Sequence, residues 1–310
     1  MWISDKWTDY ELLDCSGGER LERWGPYLLV RPDPQAIWQT PREHPGWNSP
    51  DARYARSPDG GGHWDCGDIP EKWRIGYAGT QSAARGNGSA APQGPMLSLE
   101  NDGNAPMRLK LNVSLMNFKH TGVFPEQAAN WEFISERIRS AGREISVLNL
   151  FAYTGGATLA AASAGAGVCH VDAAKGMVAR ARENAALSGL QGAPIRWIVD
   201  DCVKFVEREI RRGRKYDALV MDPPSYGRGP SGETWKLEDE LYRFAVMCGK
   251  ILIENPLFVL VNSYTAGLSP SALTYIARSA YGGRAESREL GLPVTASGLA
   301  LPCGASCRVT

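Results

Sequence analysis

The sequence lacks an excess of charge of either sign. Its 310 residues carry 34 Lys and Arg against 34 Asp and Glu, so the formal net charge at pH 7 is zero. A protein that holds nucleic acid mainly by releasing counterions needs a large positive excess, and this composition excludes that class. Any contact with RNA or DNA must therefore come from a local basic patch.

Long apolar runs are also missing. No uninterrupted segment approaches the roughly 20 residues that cross a bilayer. The amino terminus, MWISDKWTDYELLD, has acids where a secretory signal needs an apolar core. With 43% apolar and 22% charged residues the chain has a globular composition. We therefore expect a cytoplasmic protein without membrane contact.

A disulfide framework is not predicted. Seven cysteines form an odd number without a short repeated spacing, in a chain longer than disulfide-rich domains. The spacings His63-x2-Cys66 and Cys303-x3-Cys307 each lack the second close pair that structural zinc sites use. We expect reduced thiols and no metal.

The composition divides the chain into two parts. Residues 1 to 77 are rich in Trp, Pro and Gly and contain short extended runs such as WGPYLLVRP, which predicts a small β-rich unit with long loops. Of the 28 residues from Gly79 to Pro106, 19 are Gly, Pro, Ala, Ser or Asn. Such a segment buries little apolar surface, and we expect a flexible loop. The predicted domains are 1–120 (β-rich) and 121–310.

From Ile145 onward, predicted strands alternate with helices, the pattern of a parallel sheet covered on both faces. The predicted strands are ISVLNLFA, VCHVDA, APIRWIVDD, KYDALVMDPP and PLFVLVNSY, and residues 295–310 can supply two terminal strands. RLKLNVSL, residues 108–115, precedes them as a half-exposed strand, and Pro125 and Gly142 delimit a helix.

Acidic residues follow three of these strands. Ligands of an open parallel sheet bind beyond the carboxyl ends of its strands. The first strand ends in the turn 151–156, Phe-Ala-Tyr-Thr-Gly-Gly, and the second in Asp172, where a carboxylate can accept both hydroxyls of a ribose. Asp201 and Asp222 follow the third and fourth strands. Three acids at successive strand ends predict a nucleoside site.

The glycine pattern limits which nucleoside-containing ligand can bind. Dinucleotide-binding folds use G-x-G-x-x-G, which lets a pyrophosphate sit on a helix amino terminus. Here Phe151, Ala152 and Tyr153 occupy the room that this motif reserves for phosphate. A ligand with a ribose and a purine but no phosphate fits better, which indicates S-adenosyl-L-methionine.

Four segments, VLNLFAYTGG, VDAAKGMVARARENAALSGL, VDDCVKF and MDPPSYGRG, together resemble the class I S-adenosylmethionine-dependent methyltransferases. More narrowly, they resemble the bacterial family that includes the 23S ribosomal RNA cytosine-5 and guanine-N7 methyltransferases. KHTGVFPEQAANW and WGPYLLVRPDPQAIW extend the resemblance. It implies an α/β fold with a Rossmann-like, mostly parallel sheet that has a terminal antiparallel strand, after a small β-rich domain. It also implies an enzyme that methylates a base in RNA, with ribosomal RNA favoured.

The resemblance also assigns residues. It places the turn 151–155 around the methionine part of the cofactor, Asp172 at the ribose hydroxyls, Asp201 at the adenine amino group, and Asp222 with Pro223 at the reaction centre. The expected cofactor-binding residues are Phe151, Tyr153, Thr154, Gly155, Asp172, Ala173, Asp201, Asp222, Thr121, Phe124 and Gln127. The expected catalytic residues are Asp222, Pro223, Ser225 and Tyr226.

Two positions depart from the family pattern. Cytosine-5 chemistry needs a cysteine that attacks C6 of the base. The cytosine enzymes carry it after strand five, where this chain has Tyr264, and Cys202 and Cys248 are interpreted as packed thiols. We therefore expect a mechanism without a cysteine nucleophile. Amino-group methyltransferases place an aromatic residue directly after the two prolines, and here Tyr226 stands one residue later.

Other functions stay open at this point. The zero net charge permits a methyltransferase acting on a small molecule or a protein. A nicotinamide-dependent oxidoreductase would share the sheet, although the missing glycine motif argues against it. A non-catalytic RNA-binding relative is a further alternative. The basic turn 211–215 and Arg228 can meet phosphates or form a solvated surface. The sequence does not indicate the oligomeric state.

Overall fold

The structure is a computed structural model of the chain, and it describes residues 1–57, 61–79, 106–116, 119–228 and 234–310. The expected loop 79–106 lies outside the described residues except for its two ends. No helix in the described ranges is both long and apolar enough to cross a membrane.

Eight strands form the large sheet. In spatial order they are β1 (Trp2–Ile3), β16 (Ala285–Pro293), β17 (Ala300–Val309), β15 (Phe258–Ser263), β12 (Ala218–Met221), β9 (Ser146–Leu150), β10 (Gly167–Asp172) and β11 (Ile195–Val199). Neighbouring strands are parallel except at β17, which is antiparallel to both β15 and β16. The predicted α/β fold, with a mostly parallel sheet and a terminal antiparallel strand, is confirmed.

Helices cover both faces of this sheet. They are α1 (Ala128–Arg139), α2 (Gly156–Ser163), α3 (Lys175–Leu187), α4 (Cys202–Arg211), α5 (Leu237–Gly249) and α6 (Pro270–Tyr281). The central strands are buried along their length, as the sequences ALVM in β12 and FVLVNS in β15 require. Phe205, Phe244 and Leu273 pack against one face, and Ile134 and Ala161 against the other.

The strand order places the site. From β9 the chain moves outward to β10 and β11, and β12 and β15 then lie on the other side of β9. The carboxyl ends of β9 and β12 therefore flank the switch point at which open α/β sheets bind ligands.

The amino-terminal part is rich in β-strands, as predicted. A five-stranded sheet contains β2 (Tyr10–Ser16), β3 (Glu19–Trp24), β4 (Tyr27–Pro32), β5 (Ala52–Arg56) and β6 (Gly62–Cys66), and a two-stranded sheet contains β7 (Trp73–Ala78) and β8 (Arg108–Val113). A second pair, β13 (Tyr226–Arg228) and β14 (Thr234–Lys236), follows β12. The strand predicted at 108–115 is therefore present.

The β-rich part and the large sheet are joined by a shared hydrophobic cluster. Leu29, Ile75 and Leu111 belong to the same buried cluster as Trp131 of α1 and Leu159 of α2. β1, the first strand of the chain, pairs with β16 inside the large sheet. The boundary between residues 120 and 121 stays a prediction.

One expectation about the carboxyl-terminal part is wrong. Two terminal strands were expected within residues 295–310, but that range holds β17 alone, and its partner β16 comes earlier, at Ala285–Pro293. The first five residues of β16, AESRE, are polar or small; three are partly buried and two are exposed. A segment of that kind lacks the apolar run that would predict a strand.

Candidate active site

A cavity of about 650 Å³ lies at the carboxyl ends of the central strands, between the large sheet and the amino-terminal strands. Its size and position suit a small organic cofactor. The predicted residues that line it are Phe124, Gln127, Phe151, Tyr153, Thr154, Gly155, Asp172, Ala173, Asp201, Asp222, Pro223 and Ser225.

Two predicted residues do not line the cavity. Thr121 is buried, and its Oγ1 donates to the carbonyl of Val123 at 3.4 Å, so it shapes the chain before α1. Tyr226 begins β13 with about half of its surface exposed. Both assignments stay predictions.

The turn after β9 has an unusual backbone. Phe151 and Tyr153 have φ values of 54° and 50°, and Gly155 has 91°. A left-handed conformation costs a residue with a side chain about 1–2 kcal/mol, so the surroundings must hold it. The Phe151 N–H donates to Cys202 Sγ at 3.3 Å, and the Tyr153 N–H donates to Asp172 Oδ2 at 2.8 Å. Such strain is typical of a ligand-binding turn.

Asp172 is held by the backbone and faces the cavity. Its Oδ2 accepts the Tyr153 N–H and its Oδ1 accepts the Ala174 N–H, both at 2.8 Å. Each carboxylate oxygen can accept a further hydrogen bond. Burial raises the pKa of Asp172, and the two N–H groups oppose that rise. This geometry suits a pair of ribose hydroxyls.

Asp201 has a structural task as well. It is the N-cap of α4, where its Oδ1 accepts the Lys204 N–H at 2.9 Å. A capping aspartate stabilises a helix start, and Asp201 also lines the cavity. It can therefore cap the helix with one oxygen and meet a ligand with the other.

Asp222 sits among buried polar groups. Burial, together with the nearby Glu126, raises the pKa of Asp222 to about 7, against the effect of a hydrogen bond from Asn262. Burial also raises the pKa of Glu126, whose Oε2 has no hydrogen-bond partner among the described residues. Neighbouring buried carboxyls disfavour ionising together. The Gln127 Nε2 donates to the Tyr264 hydroxyl at 2.8 Å and approaches Asp222 Oδ2 at 3.5 Å.

Aromatic rings line the cavity near Asp222. The Phe124 ring lies 5.5 Å from the Tyr153 ring and 5.7 Å from the Tyr264 ring, centroid to centroid. The Trp235 indole lies 5.5 Å from Phe151, and its Nε1 donates to the Pro224 carbonyl at 2.8 Å. These rings give the cavity flat apolar walls beside Asp222.

Sequence reasoning missed a group of cavity residues. Among those that carry polar or ionisable side chains are Arg20, Arg31, Asp33, Lys119, His120, Glu126, Asn262, Tyr264 and Cys303. The sequence identifies Tyr264 only as the replacement of a cysteine, and the run WGPYLLVRP does not indicate that Arg31 belongs to a site. Residue spacing does not predict that strands of the five-stranded sheet lie beside the large sheet, and these residues could therefore not be placed in the site.

The cysteines differ in their access to the cavity. Cys202 and Cys248 are buried, and neither lines it. Cys303 of β17 does line it, and its Sγ donates to the Leu301 carbonyl at 3.4 Å. Across the described ranges, His, Cys, Asp and Glu side chains do not gather into a group of three or more that could hold a metal ion.

Sequence comparison gives a family. The family model described as S-adenosylmethionine-dependent methyltransferase matches residues 96–262. A ribosomal RNA large subunit methyltransferase K/L from Pseudoalteromonas atlantica is 33% identical over 157 residues, which are 48% of this chain and 21% of that protein. A ribosomal RNA large subunit methyltransferase I from Aeromonas salmonicida is 35% identical over 119 residues, 38% of this chain and 29% of that protein. The chain thus spans less than a third of the length of these curated relatives.

Solved structures resemble the whole chain. The S-adenosylmethionine-dependent methyltransferase from Agrobacterium tumefaciens is 34% identical, with a TM-score of 0.84 over 99% of this chain and 92% of that one. A methyltransferase structure complexed with S-adenosylhomocysteine is 20% identical, with a TM-score of 0.67 over 99% of this chain and 76% of that one. The second likeness concerns the fold alone.

Proposed function

The chain belongs to the S-adenosylmethionine-dependent methyltransferases, and from this premise we propose that it methylates a base in RNA, with ribosomal RNA as the favoured substrate. The observation that carries the proposal is the ring-walled space next to Asp222, formed by Phe124 and Tyr264. Enzymes that modify a base in a polynucleotide take the base out of its stack and hold it against such rings.

The residues of the cavity fit the cofactor. Three acids at strand ends suit its ribose hydroxyls, its adenine amino group and its positive charge, in the order Asp172, Asp201, Asp222. The strained turn 151–155 lets backbone approach the methionine part. When bound, S-adenosylmethionine supplies an activated methyl group on a sulfonium sulfur. The sulfonium carries a positive charge, which the carboxylate of Asp222 complements.

Methyl transfer depends mainly on how the acceptor is oriented toward the methyl group, because attack on a sulfonium methyl needs no strong acid or base. Pro223, Pro224 and Ser225 present the acceptor next to the methyl group. Trp235 holds the Pro224 carbonyl, and the Thr265 hydroxyl donates to Ser225 Oγ at 2.7 Å. These contacts fix the acceptor side of the cavity.

Asp222 has a second role when the acceptor is an amino nitrogen. That nitrogen gains the methyl group and must lose a proton as its bond to carbon forms. With its pKa near 7, Asp222 can take that proton at neutral pH. Tyr264 stands where a cysteine nucleophile would attack cytosine, so a nitrogen or oxygen acceptor is the consistent choice.

The relatives support RNA as the acceptor, since the two curated ones that match about 38–48% of this chain are ribosomal RNA methyltransferases. The rival within the same family is a small-molecule or protein acceptor. A nicotinamide-dependent oxidoreductase is not favoured by the family match.

Methyl transfer to RNA from a strain that lacks the protein tests the proposal. Label from the cofactor should enter that RNA but not the RNA of the parent strain, whose target site is already methylated. The variant Asp172→Ala, in which cofactor binding should be weakened, serves as the low-activity control at a cofactor concentration below saturation. Label in a protein or small-molecule fraction, or none in either RNA, would contradict an RNA substrate, and digestion to nucleosides identifies the modified base.

A further inference from the structure

Basic side chains of the amino-terminal part line the cavity on the side opposite the large sheet. Arg20 of β3, Arg31 of β4 and Lys119, before α1, all line the cavity. We call these three residues the cationic wall. The acids Asp172, Asp201 and Asp222 come instead from the carboxyl ends of the large-sheet strands. The large-sheet side of the cavity is therefore acidic, and the amino-terminal side carries these basic groups together with Asp33.

The two arginines have carboxylate partners. Glu22 is fully buried and accepts from Arg31 Nε at 2.6 Å and Arg31 Nη2 at 2.8 Å. Arg20 lies 3.3 Å from Glu22 and 3.3 Å from Asp33. Arg20 and Arg31 hold the pKa of Glu22 at about 2 although its burial acts in the opposite direction. The charges of Arg20 and Arg31 are neutralised by Glu22 and Asp33. The positive charge of Lys119 is then in excess.

Lys119 is held in place without an acid of its own. Its Nζ donates to the Pro32 carbonyl at 2.9 Å, and the described residues offer it no salt bridge within 4.0 Å. Burial, followed by repulsion from Arg20, lowers the pKa of Lys119 to about 8, while the Asp33 carboxylate, with which it makes no salt bridge, acts in the opposite direction. Its φ is 63°, a left-handed conformation that it shares, among the described non-glycine residues, only with Phe151 and Tyr153. All three line the same cavity.

Among the described residues no carboxylate contacts the Lys119 ammonium directly, and the nearby Asp33 offsets only part of its charge. Arg31 Nη1 donates to the Lys119 carbonyl at 2.9 Å, so the loop that carries the lysine is tied to the ion-paired arginine. The neighbouring His120 stays neutral, because burial and the charge of Arg31 lower its pKa to about 4. A fixed, partly desolvated cation binds an anionic oxygen far more strongly than a cation in water does.

We propose that Lys119, backed by Arg20 and Arg31, forms a subsite for a phosphate group of the acceptor nucleotide. The proposal deepens the function proposed above and rests on it. S-adenosylmethionine has a carboxylate, an ammonium and a sulfonium group, so its net charge is positive and it suits the acidic side. The cofactor carboxylate is the other anion that could meet this wall; we assign the site to the acceptor, and the titration below separates the two. Phosphate contacts of this kind position a nucleotide while the ring walls hold its base.

Nucleotide binding tests the subsite directly. The protein saturated with S-adenosylhomocysteine is titrated with the four ribonucleoside 5′-monophosphates and with the matching nucleosides by calorimetry. We expect at least one monophosphate to bind more tightly than its nucleoside by about tenfold or more, as a charge-assisted hydrogen bond provides. Lys119→Met should remove this preference, and Lys119→Arg, which keeps the charge, should retain most of it.

The matched control is Lys110→Met, the same substitution at an exposed lysine of β8 that does not line the cavity. It should keep the full preference for phosphate. A wild-type protein without any preference, or a preference that survives Lys119→Met, would overturn the subsite. A loss of S-adenosylhomocysteine affinity in Lys119→Met would also overturn it, since the lysine would then hold the cofactor.

This result is separable from that of the methyl-transfer assay. If wild-type protein labels RNA but Lys119→Met does so with unchanged KM, the subsite is wrong and the function stands. If wild-type protein labels a small molecule instead of RNA, the function is wrong, and the nucleotide titration by itself still decides whether the cationic wall binds phosphate.

Discussion

Asp172 has lone pairs that its two backbone partners leave unused, and we propose that they accept the ribose hydroxyls of the cofactor. Replacing Asp172 with alanine removes this acceptor for two hydroxyls, so we predict that Asp172→Ala weakens S-adenosylmethionine binding by more than about tenfold. Calorimetry measures the dissociation constant. Asp200→Ala is the matched control, because Asp200 follows the neighbouring strand, pairs with Arg208 and does not line the cavity. An unchanged constant for Asp172→Ala would place the ribose elsewhere.

Because of Asp222, the relative affinity for S-adenosylmethionine over S-adenosylhomocysteine should depend on pH. The raised pKa of Asp222, about 7, means that it is ionised above that pH and neutral below it. The sulfonium of S-adenosylmethionine gains from the ionised form, and the uncharged sulfur of S-adenosylhomocysteine does not. We therefore predict that the ratio of their affinities falls as the pH drops from 8 to 6.

S-adenosylmethionine and S-adenosylhomocysteine carry the same amino-acid and adenosine groups, so pH effects on those groups cancel in the ratio of the two affinities. The ratio therefore reports on the groups near the sulfonium. The groups around Asp222 are the carboxyl of Glu126, the Tyr264 hydroxyl and the amides of Gln127 and Asn262. Asp222→Asn should give a ratio that no longer changes with pH. A wild-type ratio that is constant across this range would show that Asp222 does not face the sulfonium.

At the scale of elements, the start of α2 packs tightly against α1. A Cβ at Gly156, the first residue of α2, would overlap the ring of the buried Trp131. Overpacking a core position costs about 1–3 kcal/mol, so we predict that Gly156→Ala lowers the free energy of unfolding by that amount. Gly176→Ala, near the start of α3, meets no atom within 4 Å and should be neutral or slightly stabilising. Chemical denaturation compares the two variants.

The strands β7 and β8 flank the segment 79–106. These strands pair from Trp73 with Val113 to Ala78 with Arg108, and the Gly79 N–H donates to the Met107 carbonyl at 2.8 Å. The two ends of the segment 79–106 are therefore adjacent, and a short turn can join them. We predict that a chain with residues 80–105 replaced by such a turn stays folded and keeps its cofactor affinity. Loss of solubility or of affinity in the shortened chain would make the segment structural.

The sequence predicted some elements well and others poorly, for physical reasons. β9, β10 and β12 are short apolar runs that each end at an acid or a glycine turn, so their positions and their ligand-facing ends were visible. β16 lies between β17, its neighbour in the chain, and β1, which begins the chain. Its first half is polar and the pairing with β1 is long-range, and neither leaves the local apolar pattern of a buried strand.

At the scale of the whole molecule, the sequence predicted one wall of the cavity and missed the other. The acids lie within one run of alternating strands and helices, where a topological rule locates strand ends. Arg31 and Lys119 are 88 residues apart, and the Arg31 Nη1 meets the Lys119 carbonyl only because the amino-terminal sheet docks on the large one. Docking depends on side-chain packing between units, which periodicity does not encode.

The acceptor atom can be tested on the assembled enzyme with RNA. A cysteine that attacked C6 of cytosine would form a thioether, and 5-fluorocytosine in the RNA would trap it. We predict no covalent adduct. Cys202 is buried away from the cavity, and Cys303, which lines it, has its pKa raised well above the usual value by burial and by Glu126. A thiol of raised pKa is a poor nucleophile, since the thiolate is the reactive form.

Mass spectrometry of the protein after incubation with fluorinated RNA makes the measurement. Cys202→Ser and Cys303→Ser identify the sulfur if an adduct forms, and Tyr264→Cys provides a chain with a thiol at the position where the cytosine enzymes carry theirs. A wild-type adduct that disappears in Cys303→Ser would make β17 the source of the nucleophile and restore cytosine C5 as the target. Its absence from wild type, with an adduct in Tyr264→Cys, would show that fluorinated cytosine reaches the reaction centre and that Tyr264 excludes this chemistry.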